Sequence, residues 1–279
     1  MNKFVIWALP ITLFALAFIA CGNDSSSTSG EINSSNIKPS GFYKEDCNTG
    51  TYVCVTTEYL NDEKLKTNKY DEFLDTRDNK VYKTITIGKQ TWIAQNLNYT
   101  INDGKDSWCY DDTPDNCKKY GRLYKWEAAK EACPEGWRLP DNLDWHTLLV
   151  QLSAPVSKDS SHWEYFSEDM YWIYYGAVEN LKTTSVWRAE EGIPPSTNSY
   201  GFSAMPAGYH HDDGEEYYFA YINGSTFFWS ADKYEGEGPV DSSNYEGAYA
   251  LVFYSHGLDA QLANFNKNIF HFSIRCLQD

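Results

Sequence analysis

The run His210-His211-Asp212-Asp213 sets two imidazoles beside two carboxylates, which is a donor set suited to a transition ion. Adjacent residues on an extended chain point to opposite faces, however. With Gly214 following, the run reads as a solvated turn, and no metal is expected. His146, His162, His256 and His271 stand apart without ligand spacing and read as surface or satisfied core. The acid pairs Glu190-Glu191, Glu215-Glu216 and Glu235/Glu237 have the residue types of a glycosidase's acid and nucleophile. Among 39 acidic residues, though, such neighbours arise by chance. There is no Gly-x-Ser-x-Gly elbow and no phosphate-cradling loop. The expectation is a protein that is not an enzyme, with no catalytic residues and no cofactor.

Aromatic side chains carry a different chemistry, since their faces stack on sugar rings or anchor protein interfaces. They make up 16% of the chain, with 22 Tyr and 10 Trp, so most must be packing. Trp92, Trp126, Trp137, Trp145 and Trp229 sit in regular framework runs and read as core. Trp163, Tyr165, Tyr171, Trp172, Tyr174 and Tyr175 lie in a stretch rich in Pro, Ser and Gly, where a ligand-facing role is expected.

Cysteines supply the covalent frame. Apart from Cys21 there are six, Cys47, Cys54, Cys109, Cys117, Cys133 and Cys276, an even number that favours disulfides in an exported protein. Many connectivities are open to six thiols. Cys47 with Cys54 and Cys109 with Cys117 are close enough to staple loops, which leaves Cys133 for Cys276. Phe270, Phe272, Ile274 and Cys276 alternate with His271, Ser273 and Arg275 like a half-buried strand. Trp126, Ala129 and Cys133 share one face of an expected helix that Pro134 ends.

The elements that must hold these residues follow from periodicity. Val81–Ile87 and Gln90–Ala94 flank Gly88-Lys89 as a hairpin with a Gly-first turn. Arg122–Cys133 reads as one helix, and Asp141 caps a second with Trp145, Leu148, Leu149 and Leu152 at helical spacing. Residues 153–199 read as a structured long loop. Strand-like runs recur at 201–209, 217–222, 226–230, 248–254 and 270–277. Residues 42–72 form a lead-in with Cys47 and Cys54, either a small cap or an extension of the main domain at 73–279.

The first residues point to a compartment. Lys3 precedes an apolar run, Phe4–Ala20, of about 17 residues, at the lower limit for spanning a bilayer and more consistent with a signal peptide over residues 1–20. Phe18-Ile19-Ala20-Cys21 resembles a lipobox, which implies lipidation of Cys21. Residues 21–41, rich in Ser, Gly and Asn, have the composition of a flexible tether. The expectation is an exported bacterial lipoprotein at the outer membrane or cell surface. A net charge of −16 makes nucleic acid and anionic lipid surfaces poor partners.

Several strings together resemble the Fibrobacter succinogenes major paralogous domain family of bacterial surface proteins. They include Gln90-Thr-Trp-Ile-Ala-Gln-Asn-Leu97, Tyr120-Gly-Arg-Leu-Tyr-Lys-Trp126, Cys133-Pro-Glu-Gly-Trp-Arg-Leu-Pro140, Gly201-Phe-Ser-Ala-Met-Pro-Ala-Gly-Tyr209 and Phe272-Ser-Ile-Arg-Cys276. The resemblance implies an α+β, C-type lectin-like fold: two helices, antiparallel sheets and a long loop, stapled by a disulfide between the first helix and the last strand. It transfers no catalytic residue. The Trp-Asn-Asp and Glu-Pro-Asn strings of calcium-dependent lectins do not occur here. The functional expectation is therefore a lipid-tethered surface module that binds an extracellular glycan or protein without catalysis. The alternatives are a structural envelope lipoprotein without a small ligand and, third, an extracellular enzyme.

Overall fold

Gly88, with φ +63°, turns the chain between two strands as its position in the sequence predicts. The structure is a computed structural model that describes residues 51–152, 163–166, 171–236 and 245–279. The elements run from β1 (Val53–Cys54) through α1 (Asp62–Lys66) and β2 (Asp71–Asp75) to β3 (Lys80–Ile87) and β4 (Gln90–Ile93). Asn61 caps α1 by accepting the Lys64 N–H at 2.9 Å. Strand β3 pairs in parallel with β1 and antiparallel with β2 and β4. From Val53 onward the lead-in is thus an extension of the sheet rather than a separate cap.

The next stretch departs from the expected single helix at Arg122–Cys133. After β5 (Ser107–Trp108) and α2 (Pro114–Tyr120), Leu123–Tyr124 forms a strand, β6, and only Trp126–Ala132 is helical, as α3. Tyr124 exchanges both backbone hydrogen bonds with Phe272, at 2.8 and 3.1 Å, so a distant segment claims these residues before helix propensity can act. Next come β7 (Trp137–Arg138) and α4 (Asn142–Val150), which begins where Asp141 predicts. Asp141 and Asp144 form a capping box, and Arg138 reaches Asp144 with both ends of its guanidinium at 2.5 and 2.9 Å. The buried face of α4 sets Trp145, Leu148 and Leu149 into the core, where Trp145 stacks on Trp92 at 4.9 Å.

The remaining strands are β8 (Trp163–Phe166), β9 (Tyr171–Tyr174), β10 (Ala207–Asp212), β11 (Tyr217–Ile222), β12 (Ser225–Tyr234), β13 (Gly247–Tyr254), β14 (Ala260–Asn266), β15 (Phe270–His271) and β16 (Leu277–Gln278). Seven of them join in the order β11-β10-β12-β13-β14-β9-β8, with β15 beside β10. β16 crosses back to the smaller sheet, between β4 and β7.

This corrects the expected fold class. Strand outweighs helix by more than two to one, and both sheets are mixed, with parallel pairs at β1/β3 and β10/β12. The protein is a sheet-rich fold, not an α+β lectin-like one. Two causes are visible. The expected long loop supplies β8 and β9, and Ala260–Asn266, whose polar residues mask its periodicity, supplies β14. Both faces of the large sheet are covered. Phe228, Leu251, Phe253 and Leu262 meet Trp92 and Trp145 on one side, while Phe227, Trp229, Ala250 and Val252 meet Trp126, Ala129, Phe272 and Ile274 on the other.

Disulfides join Cys133 to Cys276 and Cys109 to Cys117, two of the three pairs expected. Cys54 is also disulfide-bonded, and its expected partner, Cys47, lies outside the described residues. The alternation read for 270–277 is corrected. His271, Ser273 and Arg275 are as buried as Phe272, Ile274 and Cys276, because the segment runs through the interior between the sheets. Arg275 is completely buried. It donates from Nε to Asn96 Oδ1 at 2.9 Å, from Nη2 to the Ser203 carbonyl at 2.7 Å, and from Nη1 to the carbonyls of Phe202 and Ile93. Burial pulls its guanidinium down to about 9, and the hydrogen bonds offset that desolvation. No helix among the described residues is long and apolar enough to cross a membrane; Phe4–Ala20 and Cys21 lie outside them.

Candidate functional site

The histidine run is not a solvated turn. His210 and His211 lie within strand β10, 0% and 7% exposed, and the turn begins only at Asp213. The alternation of a strand does separate them. His210 faces Trp108, Phe219 and His271, whereas His211 faces Tyr218 and Phe270. His210 and His271 touch through their Nδ1 atoms, and Trp108 stacks on His271 at 4.3 Å. Burial pulls His210 down to about 4 and, with the charge of His210 as second cause, His271 to about 3. Both imidazoles are neutral at physiological pH and act as packed aromatic rings.

On the other face, His211, Asp213 and Glu216 bring one ligand atom each to within 4.8 Å of one another. Asp213 is already committed. Its Oδ1 accepts the N–H groups of Glu215 and Glu216 at 2.9 and 2.7 Å, and its Oδ2 meets His211 Nε2 at 3.3 Å. Those two N–H groups, and then His211, hold its carboxyl down to about 2. The group closes a turn at the end of β10.

The aromatics expected to face a ligand lie on the edge of the large sheet. Tyr174 is 1% exposed and its hydroxyl meets His146 Nδ1 at 3.0 Å, so it belongs to the core. Trp172 is half-buried against Tyr249, ring centres 5.5 Å apart, and Tyr175 is partly buried. Trp163, Tyr165 and Tyr171 have strand backbones, and their side chains lie outside the described residues.

At the β10–β11 end of the sheet a different set of aromatics surrounds a cavity of about 320 Å³. Its floor is Phe227, Phe270 and Phe272, with Phe227 stacked on Phe272 at 4.7 Å. Tyr209 stands edge-on to Phe227 and Phe270, 5.4 Å from each. The rim is Tyr221, Arg188, and Tyr254 stacked on His256 at 5.0 Å. Tyr221 is 59% exposed and lies 5.7 Å from Tyr209.

The backbone at this mouth is unusual. Tyr221 has φ +64°, the left-handed region that bulky residues avoid, at a cost of roughly 1–3 kcal/mol. Across the ladder Gly208 also has a positive φ, +65°, and a Cβ there would stand 2.2 Å from the Ala220 carbonyl oxygen. Only glycine lets β11 approach β10 so closely. The strained Tyr221 then holds its ring at the opening, where exposed Tyr218 also packs on Tyr209. Sequence reasoning placed Gly201–Tyr209 and Tyr217–Ile222 in strands but did not single out their tyrosines. The available signal was Tyr-Tyr-Phe-Ala-Tyr at 217–221, an edge strand with no charged residue.

A family model described as Fibrobacter succinogenes major domain matches residues 85–278. Neither a curated protein nor a solved structure matches the chain.

Proposed function

The chain belongs to the Fibrobacter succinogenes major domain family, and from that premise we propose that it is a non-enzymatic binding module that takes an extracellular glycan or protein in the aromatic cavity between Tyr209 and Tyr254. The observation that carries the proposal is the mouth of that cavity. A strained Tyr221 keeps an aromatic face in solvent above a floor of three phenylalanines. Concave, mostly aromatic sites with a few polar groups at the rim are where small ligands and sugar rings bind. Backbone strain in Tyr221, a bulky residue at the mouth, favours recognition over packing.

Display outside the cell, on a lipid attached to Cys21, completes the reading. It rests on the apolar run Phe4–Ala20 ahead of Cys21 and on the disulfides, which persist in oxidising compartments. The test is to screen the purified protein against a glycan array, insoluble cellulose and extracellular protein, beside a Tyr221→Ala variant. Binding that is lost in the variant at an unchanged melting temperature supports the proposal. Binding that survives Tyr221→Ala, or no ligand of any class, overturns it.

A further inference from the structure

The aromatic cavity has a neighbour. Arg188 stands in its wall and also in the wall of a second cavity of about 190 Å³, which Lys182, Thr183, Trp187, Glu190 and Ser255 help to line. The main-chain N–H of Arg188 is anchored on the Asn223 carbonyl at 2.7 Å, so the residue is fixed between the two.

Lys182 is the unusual member, because it is only 3% exposed. Its ammonium donates to the carbonyls of Tyr254 and Gly257, the latter at 3.0 Å, and lies 4.5 Å from the Trp187 ring centre. Among the described residues it forms no ion pair with a carboxylate. Burial alone pulls it down to about 8. Glu190, the one carboxylate in the wall, is taken: it accepts from Arg188 Nε at 2.7 Å and from Ser255 Oγ at 3.0 Å. The wall therefore holds two cations against one carboxylate, and the outer fork of Arg188 is open to solvent, its side chain 62% exposed.

A buried cation without a counter-charge is costly, and an anion entering the cavity would supply what the fold omits. Arginine's planar fork matches a carboxylate in particular. We propose that the ligand is an acidic glycan of uronic-acid units, its rings stacked in the aromatic cavity and a carboxylate held by Lys182 and Arg188. This rests on the glycan reading of the aromatic cavity. The chain's net charge of −16 does not forbid it, since at about 0.15 M salt charges more than about 8 Å away are largely screened.

The test is calorimetric titration of the purified protein at that ionic strength with three probes: oligogalacturonate, the same oligomer with its carboxylates methyl-esterified, and oligoglutamate. The acid should bind at least about tenfold more tightly than the ester. Lys182→Met and Arg188→Gln should each abolish that preference. Arg188 is exposed, so its variant carries the test if Lys182→Met does not fold. Equal affinity for acid and ester overturns the inference and leaves the glycan reading standing. Oligoglutamate binding as tightly as oligogalacturonate overturns it in favour of an acidic peptide. If no saccharide binds, this inference and the glycan reading fall together.

Discussion

The Nδ1 atoms of His210 and His271 lie 2.8 Å apart, so one imidazole donates its proton to the bare nitrogen of the other. Neither Nε2 has a protein partner among the described residues. Trp108, Phe219 and Tyr217 pack round the pair, Asp106 and Lys125 lie beyond Trp108, and Asp112 and Asp212 face His210.

That contact predicts an acid weakness. Both rings have folded pKa values well below the unfolded 6.5, about 4 for His210 and about 3 for His271. The unfolded chain therefore binds protons first, and stability complete above pH 6.5 is lost as pH falls toward 4. The loss should reach roughly 3 kcal/mol for each ring by pH 4. A His210→Phe/His271→Phe double variant, which removes both hydrogen-bonding partners together, should flatten the fall in urea midpoint between pH 7 and 4. A fall as steep as the parent's would clear the pair of responsibility.

Cys133 and Cys276 lie 143 residues apart and Cys109 and Cys117 only 8. In the chain-entropy account the long bridge contributes about 5 kcal/mol and the short one about 2.5. Replacing the first pair by alanine should lower the denaturant midpoint by about twice as much as replacing the second. The reverse order would mean that native-state packing, not the unfolded chain, decides what the bridges contribute.

Arg275 braces four oxygen atoms from two segments, 93–96 and 202–203, without a carboxylate. Arg275→Leu leaves those acceptors buried and unpaired and should cost about 3 kcal/mol or more. Arg275→Lys should not rescue it, because a single ammonium cannot span the positions a guanidinium fork reaches. Thermal unfolding of the two variants decides this, and a Lys variant as stable as the parent would refute the bracing role.

Trp172 and Tyr221 should separate packing from recognition. Trp172 leans on Tyr249 at the sheet edge, so Trp172→Ala should cost about 2 kcal/mol. Tyr221 is exposed, and Tyr221→Ala should stay within about 0.5 kcal/mol. Calorimetric melting of each tests the order, and a large loss from Tyr221→Ala would make its ring structural.

Cys21→Ser should yield a protein that no longer incorporates radiolabelled palmitate and leaves the membrane fraction. Continued labelling would place the lipid on another residue.

The sequence by itself determined what local pattern can encode. The Gly88 turn, the Asp141 cap and the buried spacing of Trp145, Leu148 and Leu149 are each specified by neighbours a few residues away, and all stand in the structure. Cysteine spacing, which sets Cys47 beside Cys54 and Cys109 beside Cys117, was enough to leave Cys133 for Cys276. What tertiary structure alone decided is which face each aromatic meets. In Tyr171-Trp-Ile-Tyr174 every residue is apolar or aromatic, so the run has no alternation from which to read a buried side, and partnership with β14 assigns it. Partnership likewise turned Leu123–Tyr124 from helix to strand and buried Arg275. The cavity is the extreme case, because Arg188, Tyr209, Tyr221, Phe227, Tyr254 and Phe270 come from separate stretches of chain. Only the sheet register, and the close approach that Gly208 permits, bring them round one space.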